Sequence, residues 1–488
     1  MLHLILFILF VVVLQICDMS SVLGSQRESA IKSVDEIDSS TVDLGGDDER
    51  IRPRIAPQFR FGNIDVTFTG AATLIDSRYE RNFDLHPAAK EDQFNIRPLL
   101  DFNTIFDFAQ GYSLFTELRM IDRVKFGEDS KTSNNFELQV RDMFLNMPLR
   151  LALPVTLRIG RQQFFESRRW YLNDRMDGIQ LFSRLGLVNF SAAFSSPVPV
   201  VRDSFQLFDN FFQKRRQTDA IFNLDYALTE NSTLGSYFIL GHKHENRLTP
   251  DRTRNENPFW IGLRLAGDER IKLSSAESAL TQDLLKPRIK YWLDAAFVGG
   301  NVESRKIRGF GLDTGITLIA RKFEQRPFLT FAYAFGSGDK NSQDGVDRNF
   351  RQTGLQNNSG RFGGVVNFEY YGVLLQPELS NMHILTAGIG FRPFERASVE
   401  FVYHRYLQDH AFGKLRLASI NSDPNEIIST DLNGINTHLG DEFDIVLGYR
   451  GFENIRIRSR AGYFIPGKAF KEPSAPAFFA RLDVQFLF

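Results

Sequence analysis

The sequence predicts an all-β chain: a transmembrane antiparallel β-barrel of 18 strands, with long extracellular loops and short periplasmic turns. Three observations carry this reading. Apolar and polar side chains alternate in short runs from about Phe61 to the last residue, which is the period of a strand with one apolar face. Beyond the N-terminal apolar run, no stretch approaches the roughly 18 uninterrupted apolar residues of a membrane-spanning helix. The polar faces mix acids with bases, as a watery lumen requires, and no Cys staple or blade repeat interrupts the succession. In hydrocarbon every backbone N–H and C=O must be paired, and a closed sheet pairs them all.

The elements follow in chain order. Leu2 to Ile16 is apolar except for His3 and Gln15, which suits the core of a signal peptide over residues 1–24, with its cleavage site open. A membrane anchor, or acylation at Cys17, are the alternatives. Cys17 is the single cysteine of the chain, so no internal disulfide can form. Residues 25–60, rich in Asp, Glu and Ser, read as a flexible periplasmic segment. The barrel is expected over 61–488. Its runs fall at 62–76, 92–109, 111–126, 134–147, 154–164, 177–185, 188–196, 219–229, 233–243, 256–266, 288–298, 308–320, 326–336, 382–393, 397–407, 441–451, 454–465 and 476–488.

Side-chain parity supports these runs. Leu100, Phe102, Phe106 and Phe108 oppose Asp101, Asn103 and Asp107. Phe443, Ile445, Leu447 and Tyr449 oppose Glu442, Asp444 and Arg450. The last run is the clearest, with Phe478, Ala480, Leu482, Val484, Phe486 and Phe488 on one face and Arg481, Asp483 and Gln485 on the other. A closing strand that ends on an aromatic is similar to the one that outer-membrane assembly machinery recognises. An even strand number puts both ends of the barrel in the periplasm. That parity assigns the further run Val365 to Leu375 to a long loop. The polar stretches 127–133, 165–176, 244–255, 337–381 and 408–440 read as extracellular loops, and the links at 187–188 and 229–232 as periplasmic turns.

Parity also sorts the charges. Arg456, Arg458 and Arg460 share one face of a strand, with Ile455 and Ile457 on the other. Three arginines in hydrocarbon are prohibitive, so they must face the lumen. Arg97 lies on the side of Asp101, Arg119 on the side of Glu117, and Arg141 follows Glu137 and Gln139. Arg158 faces away from Ile159, whereas Arg161 breaks parity with it and requires a strand end or bulge. These cations form either a constriction that favours anions or a structural ladder balanced by Asp101, Asp142, Asp294, Asp444 and Asp483.

Other chemistry finds little support. The formal charge of −1 gives no reason to expect nucleic acid. No HExxH, P-loop or GxSxG motif occurs. His404, near Glu400 on one strand face, is the best isolated acid–base candidate, with His410 in a loop nearby, but no motif makes either catalytic. Asp251, Glu256, Asp339, Asp344, Asp347 and Asp441 lack EF-hand spacing and read as solvated loop acids, with loop-bound calcium the weaker reading. No cofactor is expected.

Several segments together resemble one family, the alginate-export outer-membrane proteins, which are monomeric 18-strand channels. They are Asn95-Ile96-Arg97-Pro98, Arg158-Ile159-Gly160-Arg161-Gln162, Gln352-Thr353-Gly354-Leu355, Pro377-Glu378-Leu379-Ser380-Asn381, and Ile457 to Phe464 followed by Pro466-Gly467. Gly336 to Lys340 is similar to the family's Gly-rich loop entry. The resemblance implies an electropositive constriction for a polyuronate, formed here by Arg97, Arg141, Arg161, Arg458 and Arg460. Arg119, Arg158, Arg456, Asp101 and Asp444 are further pore-lining candidates. It also implies a lid loop around Glu378, Leu379, Ser380 and Asn381 that folds toward the pore. Glu369 departs from the pattern, since a basic residue is expected near it.

Three functions stay open on this reading. They are passive export of an acidic polysaccharide, a general or small-anion-selective porin, and a surface or loop-borne role without transport. The expected surroundings are outer-membrane lipid and lipopolysaccharide, with a periplasmic secretion scaffold if the task is export.

Overall fold

A wall of eighteen antiparallel strands, each paired to the next and the last to the first, closes around a lumen in this computed structural model. It describes residues 58–488 except 88–91, 127–133, 152, 197–216, 244–255, 271–287, 303, 342, 416–430 and 453. The expected signal peptide and most of the N-terminal segment therefore lie outside the described residues.

The strands are β1 (Ile64–Arg81), β2 in two segments (Asp92–Ile96 and Leu99–Asp107), β3 (Ser113–Phe126), β4 (Asn134–Arg150), β5 (Pro154–Phe165) and β6 (Asn173–Leu185). Next come β7 (Val188–Ser195), β8 (Gln217–Thr229), β9 (Ser232–Lys243), β10 (Glu256–Arg270), β11 (Arg288–Val302) and β12 (Arg305–Ile319). The wall ends with β13 (Phe328–Gly336), β14 (Met382–Phe391), β15 (Ala397–Leu407), β16 (His438–Phe452), β17 (Ile455–Pro466) and β18 (Ala477–Leu487). Each coincides with one of the eighteen runs read from the sequence. The main differences are at β1, which ends five residues beyond its run, at β6, which begins four residues before its run, at β10 and β11, which each end four residues beyond theirs, and at β2, which breaks at Arg97-Pro98 because Pro98 has no N–H to give the ladder.

The period-two pattern does what hydrocarbon demands. Phe102, Leu118, Ile179, Phe222, Leu263, Phe297, Phe331, Phe401 and Ile445 stand exposed on the outside, where lipid would cover them. Asp142, Arg264, Asp294, Asp313, Glu400, Glu442, Asp444 and Arg460 are buried on the opposite face. Two bulges reset the parity. In β1 the pairing slips at Leu74, leaving Leu74 (52%) and Ile75 (42%) both exposed outside and bringing Asp76 inward. In β4 it slips at Arg141, so that Arg141 and Asp142 both turn toward the lumen.

The seam joins the chain's two ends. β1 pairs with β18 from Ala71↔Leu487 to Arg81↔Phe478. Beyond the last ladder pair, Gly70 N–H donates to the Phe488 carbonyl at 2.7 Å, and Phe488 N–H donates to Gly70 O at 3.0 Å. A Cβ at Gly70 would overlap the Phe488 ring and the Asp101 carbonyl. Gly70→Leu is therefore expected to cost about 1–3 kcal/mol through overpacking at the seam. Unheated gel mobility, which separates the closed barrel from the unfolded chain, should show less of the compact form and a lower melting temperature. A wild-type melting curve would show that the seam tolerates the side chain.

Candidate functional site in the narrowed lumen

Two loops fold into the barrel and narrow it. The longer, 337–381, runs from the outer end of β13 down to the level of Phe328 and Gly390 before returning to β14. Its apolar run, the one parity excluded from the wall, packs as a core inside the lumen: Val365, Val366, Phe368, Val373 and Leu375 are all buried. Trp292 of the wall stacks on Phe362 at 5.8 Å. The wall makes room in turn, since a Cβ at Gly448 would press on Val366 at 2.7 Å.

The loop hangs from acids of the wall by its backbone. Glu442 accepts Leu374 N–H at 2.7 Å and Leu375 N–H at 3.0 Å. Asp444 accepts Val373 N–H at 3.1 Å, and Ser398 Oγ accepts Val365 N–H at 3.0 Å. From the β14–β15 turn, Arg392 donates to Gly363 O at 2.8 Å. A loop in a lumen has no ladder to satisfy its amides, so β15 and β16 supply acceptors one by one.

The shorter loop, 166–172, crosses from β5 to β6 and is fixed by ion pairs. Arg168 reaches Asp313 at 3.0 Å and Asp294 at 3.4 Å. Arg264 of β10 holds Glu166 at 2.5 Å. The loops also grip each other, with Trp170 Nε1–H donating to Tyr371 Oη at 2.8 Å and Arg169 to Ser359 Oγ at 2.8 Å. Burial works against the charge on Arg168, but Asp313 and Asp294 outweigh it and hold the guanidinium above its ordinary pKa.

Most of the arginines singled out in the sequence face this interior. Arg458 bonds Asp483 at 3.1 Å and the Asn367 carbonyl at 3.3 Å. Arg460 is almost fully covered, binding Glu369 through 2.5 and 2.6 Å contacts and Asp483 at 3.4 Å. Arg481 joins Asp483 at 3.1 Å to Asp76 at 2.8 Å, and Asp76 also takes Arg97 at 2.8 Å. Arg97, Arg458 and Arg460 thus belong to one chain of ion pairs running over β2, β1, β18 and β17 to the long inner loop. The Arg97 side chain keeps 38% of its surface open. Glu369, the departure from the basic pattern, is the acid that ties the loop to Arg460. Burial pushes its carboxyl up, but Arg460 and Arg458 outweigh that and hold it below the usual carboxylate range.

The remaining candidates are distributed differently. Arg119 makes paired bonds to Asp101 at 2.5 and 2.6 Å, Arg141 meets Glu117 at 3.1 Å, and Arg456 contacts Gln485. Arg158 lies over the Phe144 ring at 4.5 Å and donates to Asn146 Oδ1. Arg161 does not sit at the bulge or strand end expected for it. The register runs unbroken through it, Met143↔Arg161↔Asp177, at the parity of outward-exposed Met143, Ile159 and Ile179. Arg161 pairs with Asp177 at 3.0 Å at a parity opposite to Arg158, and both members of the pair are buried where Met143, Ile159 and Ile179 are exposed. The ladder continues through Gly160, which sits at φ +130°, a conformation open to glycine, with the Met143 carbonyl where a Cβ would stand.

Glu378 to Asn381 lie where the long loop rejoins β14. Leu379 is fully buried, and Asn381 donates to the His410 carbonyl at 2.8 Å. Asp444 also approaches His404 at 3.4 Å, and His404 is wholly buried beside Thr386. Of the loop acids, Asp339 pairs with Arg305, Asp344 with Arg348, Asp347 and Glu256 with Arg351, and Asp441 with Arg405. Asp251 lies outside the described residues.

The sequence reading missed Arg168, Arg169, Arg264, Arg361 and Lys290. Arg168 and Arg169 sit in the short inner loop and Arg361 in the long one, where strand parity gives no signal, whereas Arg264 and Lys290 lie on β10 and β11, where parity marks a polar face but not a site. The run Ser167-Arg168-Arg169-Trp170, with paired cations beside a tryptophan, is the mark that could have found the short loop.

Residues 73–477 match the family model described as alginate export. Among curated proteins, the alginate production protein AlgE of Azotobacter vinelandii is 24% identical over 155 residues, covering 28% of this chain and 31% of that protein. That alignment thus spans about a third of its relative's length. Among solved structures, Pseudomonas aeruginosa OccK5 (OpdH) superposes with a TM-score of 0.51 at 10% identity, covering 87% of this chain and 98% of that one. Pseudomonas aeruginosa OccK8 (OprE) gives 0.51 at 11% identity with the same coverage. At such identities the likeness is one of fold. The family match takes in almost the whole wall and both inner loops, and this chain belongs to the alginate export family of outer-membrane β-barrels.

Proposed function

We propose that the chain is a channel for passive, anion-favouring export of an acidic polysaccharide, alginate or a similar polyuronate, through a constriction lined by arginine. The carrying observation is the ion-pair chain beside the long inner loop, in which the guanidiniums of Arg97, Arg481, Arg458 and Arg460 alternate with the carboxylates of Asp76, Asp483 and Glu369. The family match supports the polymer class. Arg119 and Arg141 extend the same face. Arg161, opposite Arg158 in strand parity and paired with Asp177, is not counted in this ladder.

A passing carboxylate can replace a wall carboxylate at a guanidinium without leaving either charge bare. Binding at each step is then weak enough to release, which conduction needs. The constriction is a standing one, since both inner loops are anchored at many points. The lumen is complete within one chain, which favours a working monomer, and a periplasmic scaffold would deliver the polymer.

Arg97→Glu with Arg458→Glu spares the Arg460–Glu369 bond that fixes the loop. In a planar bilayer under a KCl gradient, the wild type should show an anion-selective reversal potential and the double variant one of opposite sign. Unchanged selectivity would reduce these arginines to structural charge balance and favour a general porin. A second prediction concerns the loop. Glu442→Ala with Asp444→Ala leaves the amides of residues 373–375 without acceptors, at about 1–3 kcal/mol for each unpaired group. Hydrogen exchange over 362–376 should quicken and single-channel conductance should rise. If both stay at wild-type values, the wall acids are not what holds the loop.

A further inference from the structure

On the side of the lumen away from the Arg97–Arg460 chain, a cavity of about 680 Å³ lies between the inner loops and the wall from β7 to β11. That volume falls in the roughly 300–1,000 Å³ range of pockets that hold small ligands. Its lining places it at the periplasmic end, because Asn231 is in the β8–β9 turn, Asp268 lies near the end of β10, and Lys290 near the start of β11.

The two sides of this cavity differ in chemistry. One is a rail of small neutral groups, with Asn189, Ser191, Asn223 and Thr233 on successive strands. The other carries Lys290 from the wall and Arg361 from the tip of the long loop. Behind them stand further cations: Arg288, Arg361 and Arg392 all face Lys290, and Arg326 faces Arg392. The acids within reach are Asp268, bonded to Arg288, Glu395, paired with Arg326 at 3.6 Å, and Glu400, which faces Lys290 and Arg392. Asp225 sits on the rail side and Glu166, held by Arg264, at the cavity's inner edge. Arg392 grips the Gly363 carbonyl, which fixes the turn carrying Arg361. Arg361 in turn neighbours Arg169, which also faces Arg458.

We infer that this cavity is the periplasmic capture site for a uronate segment, with Lys290 and Arg361 taking a sugar carboxylate and the Asn189–Ser191–Asn223 rail taking ring hydroxyls. Carboxylate on one side and hydroxyls on the other is the pattern of an acidic sugar, and neither a neutral sugar nor a small inorganic anion uses both sides. The inference rests on the export reading and names where the polymer first binds. Arg392 acts as a positioning residue through the loop tip.

The test is block of oriented channels in a planar bilayer by a uronate trisaccharide, added from the periplasmic or the extracellular side, with a neutral trisaccharide alongside. Wild type should be blocked at lower concentration from the periplasmic side, and by the acidic sugar in preference. Lys290→Gln with Arg361→Gln should raise the periplasmic half-blocking concentration about tenfold, which is about 1.4 kcal/mol, and change the extracellular value less than about twofold. Asn189→Leu, with the cations intact, should weaken the same block without altering the reversal potential in KCl. If the double variant does not give a closed barrel by gel mobility, Lys290→Gln alone carries the expectation at about threefold. Wild type unblocked from both sides would overturn the export reading together with this site. Block that survives the substitutions, or that weakens equally from both sides, would overturn the capture site and leave the export reading standing.

Discussion

A strand that crosses hydrocarbon has one face for lipid and one for everything else, and the closed hydrogen-bond ladder leaves no third place for a charge. In this wall the second face is charged on almost every strand, and the lumen it surrounds is partly filled by loops. Charges so placed lose much of their water, and each must be answered by a partner or carry a large desolvation cost. The wall answers them across strands. Directly opposed or diagonal positions bring Arg119 to Asp101, Arg481 to Asp76 and Arg458 to Asp483. Register, fixed by the outward phenylalanines and leucines, thus decides which arginine meets which acid.

The inner loops follow from the same constraint. Their apolar residues could not face the periplasm or the medium without loss, so they form a core inside the barrel, against Trp292 and the lumen face of β16. Their amides then need acceptors, and Glu442, Asp444 and Ser398 are aimed at them. Glu442 and Asp444, neighbours on one face of β16, become tolerable side by side because backbone donors of residues 373–375 meet both of them. The consequence is a lumen with two unlike sides, a guanidinium ladder along β17, β18 and β1 to β5, and a rail of amides and hydroxyls along β7 to β9.

The wall was readable from the sequence because a strand's period leaves an imprint on every second residue, and an even count excluded Val365 to Leu375 from it. Most lumen arginines were readable for the same reason. Arg161 was not, because deciding its face needs the register through Gly160, and a sequence does not say whether that glycine bulges or continues the ladder. The inner loops were legible only as length. Nothing in the spacing of Glu369 announces that it will meet Arg460, 91 residues further on, nor that Arg168 will cross the lumen to Asp313. Such contacts are set by the descent of a loop that has no period of its own.

Paired arginines are often read as spent, and the geometry here argues otherwise. A guanidinium carries five N–H donors and can share them, as Arg458 does in bonding both Asp483 and a loop carbonyl. Unpaired, the same cations would bind a polyanion at many points and release it slowly. Fully neutralised, they would not attract it. On the export function proposed above, acids interleaved with arginine would lower the entry barrier for a carboxylate while keeping each contact exchangeable, because the wall carboxylate returns as the guest moves on. The interleaving that stabilises an empty barrel is then compatible with the proposed passage of a charged chain, so that charge balance in the wall and a transport role for these arginines do not exclude each other.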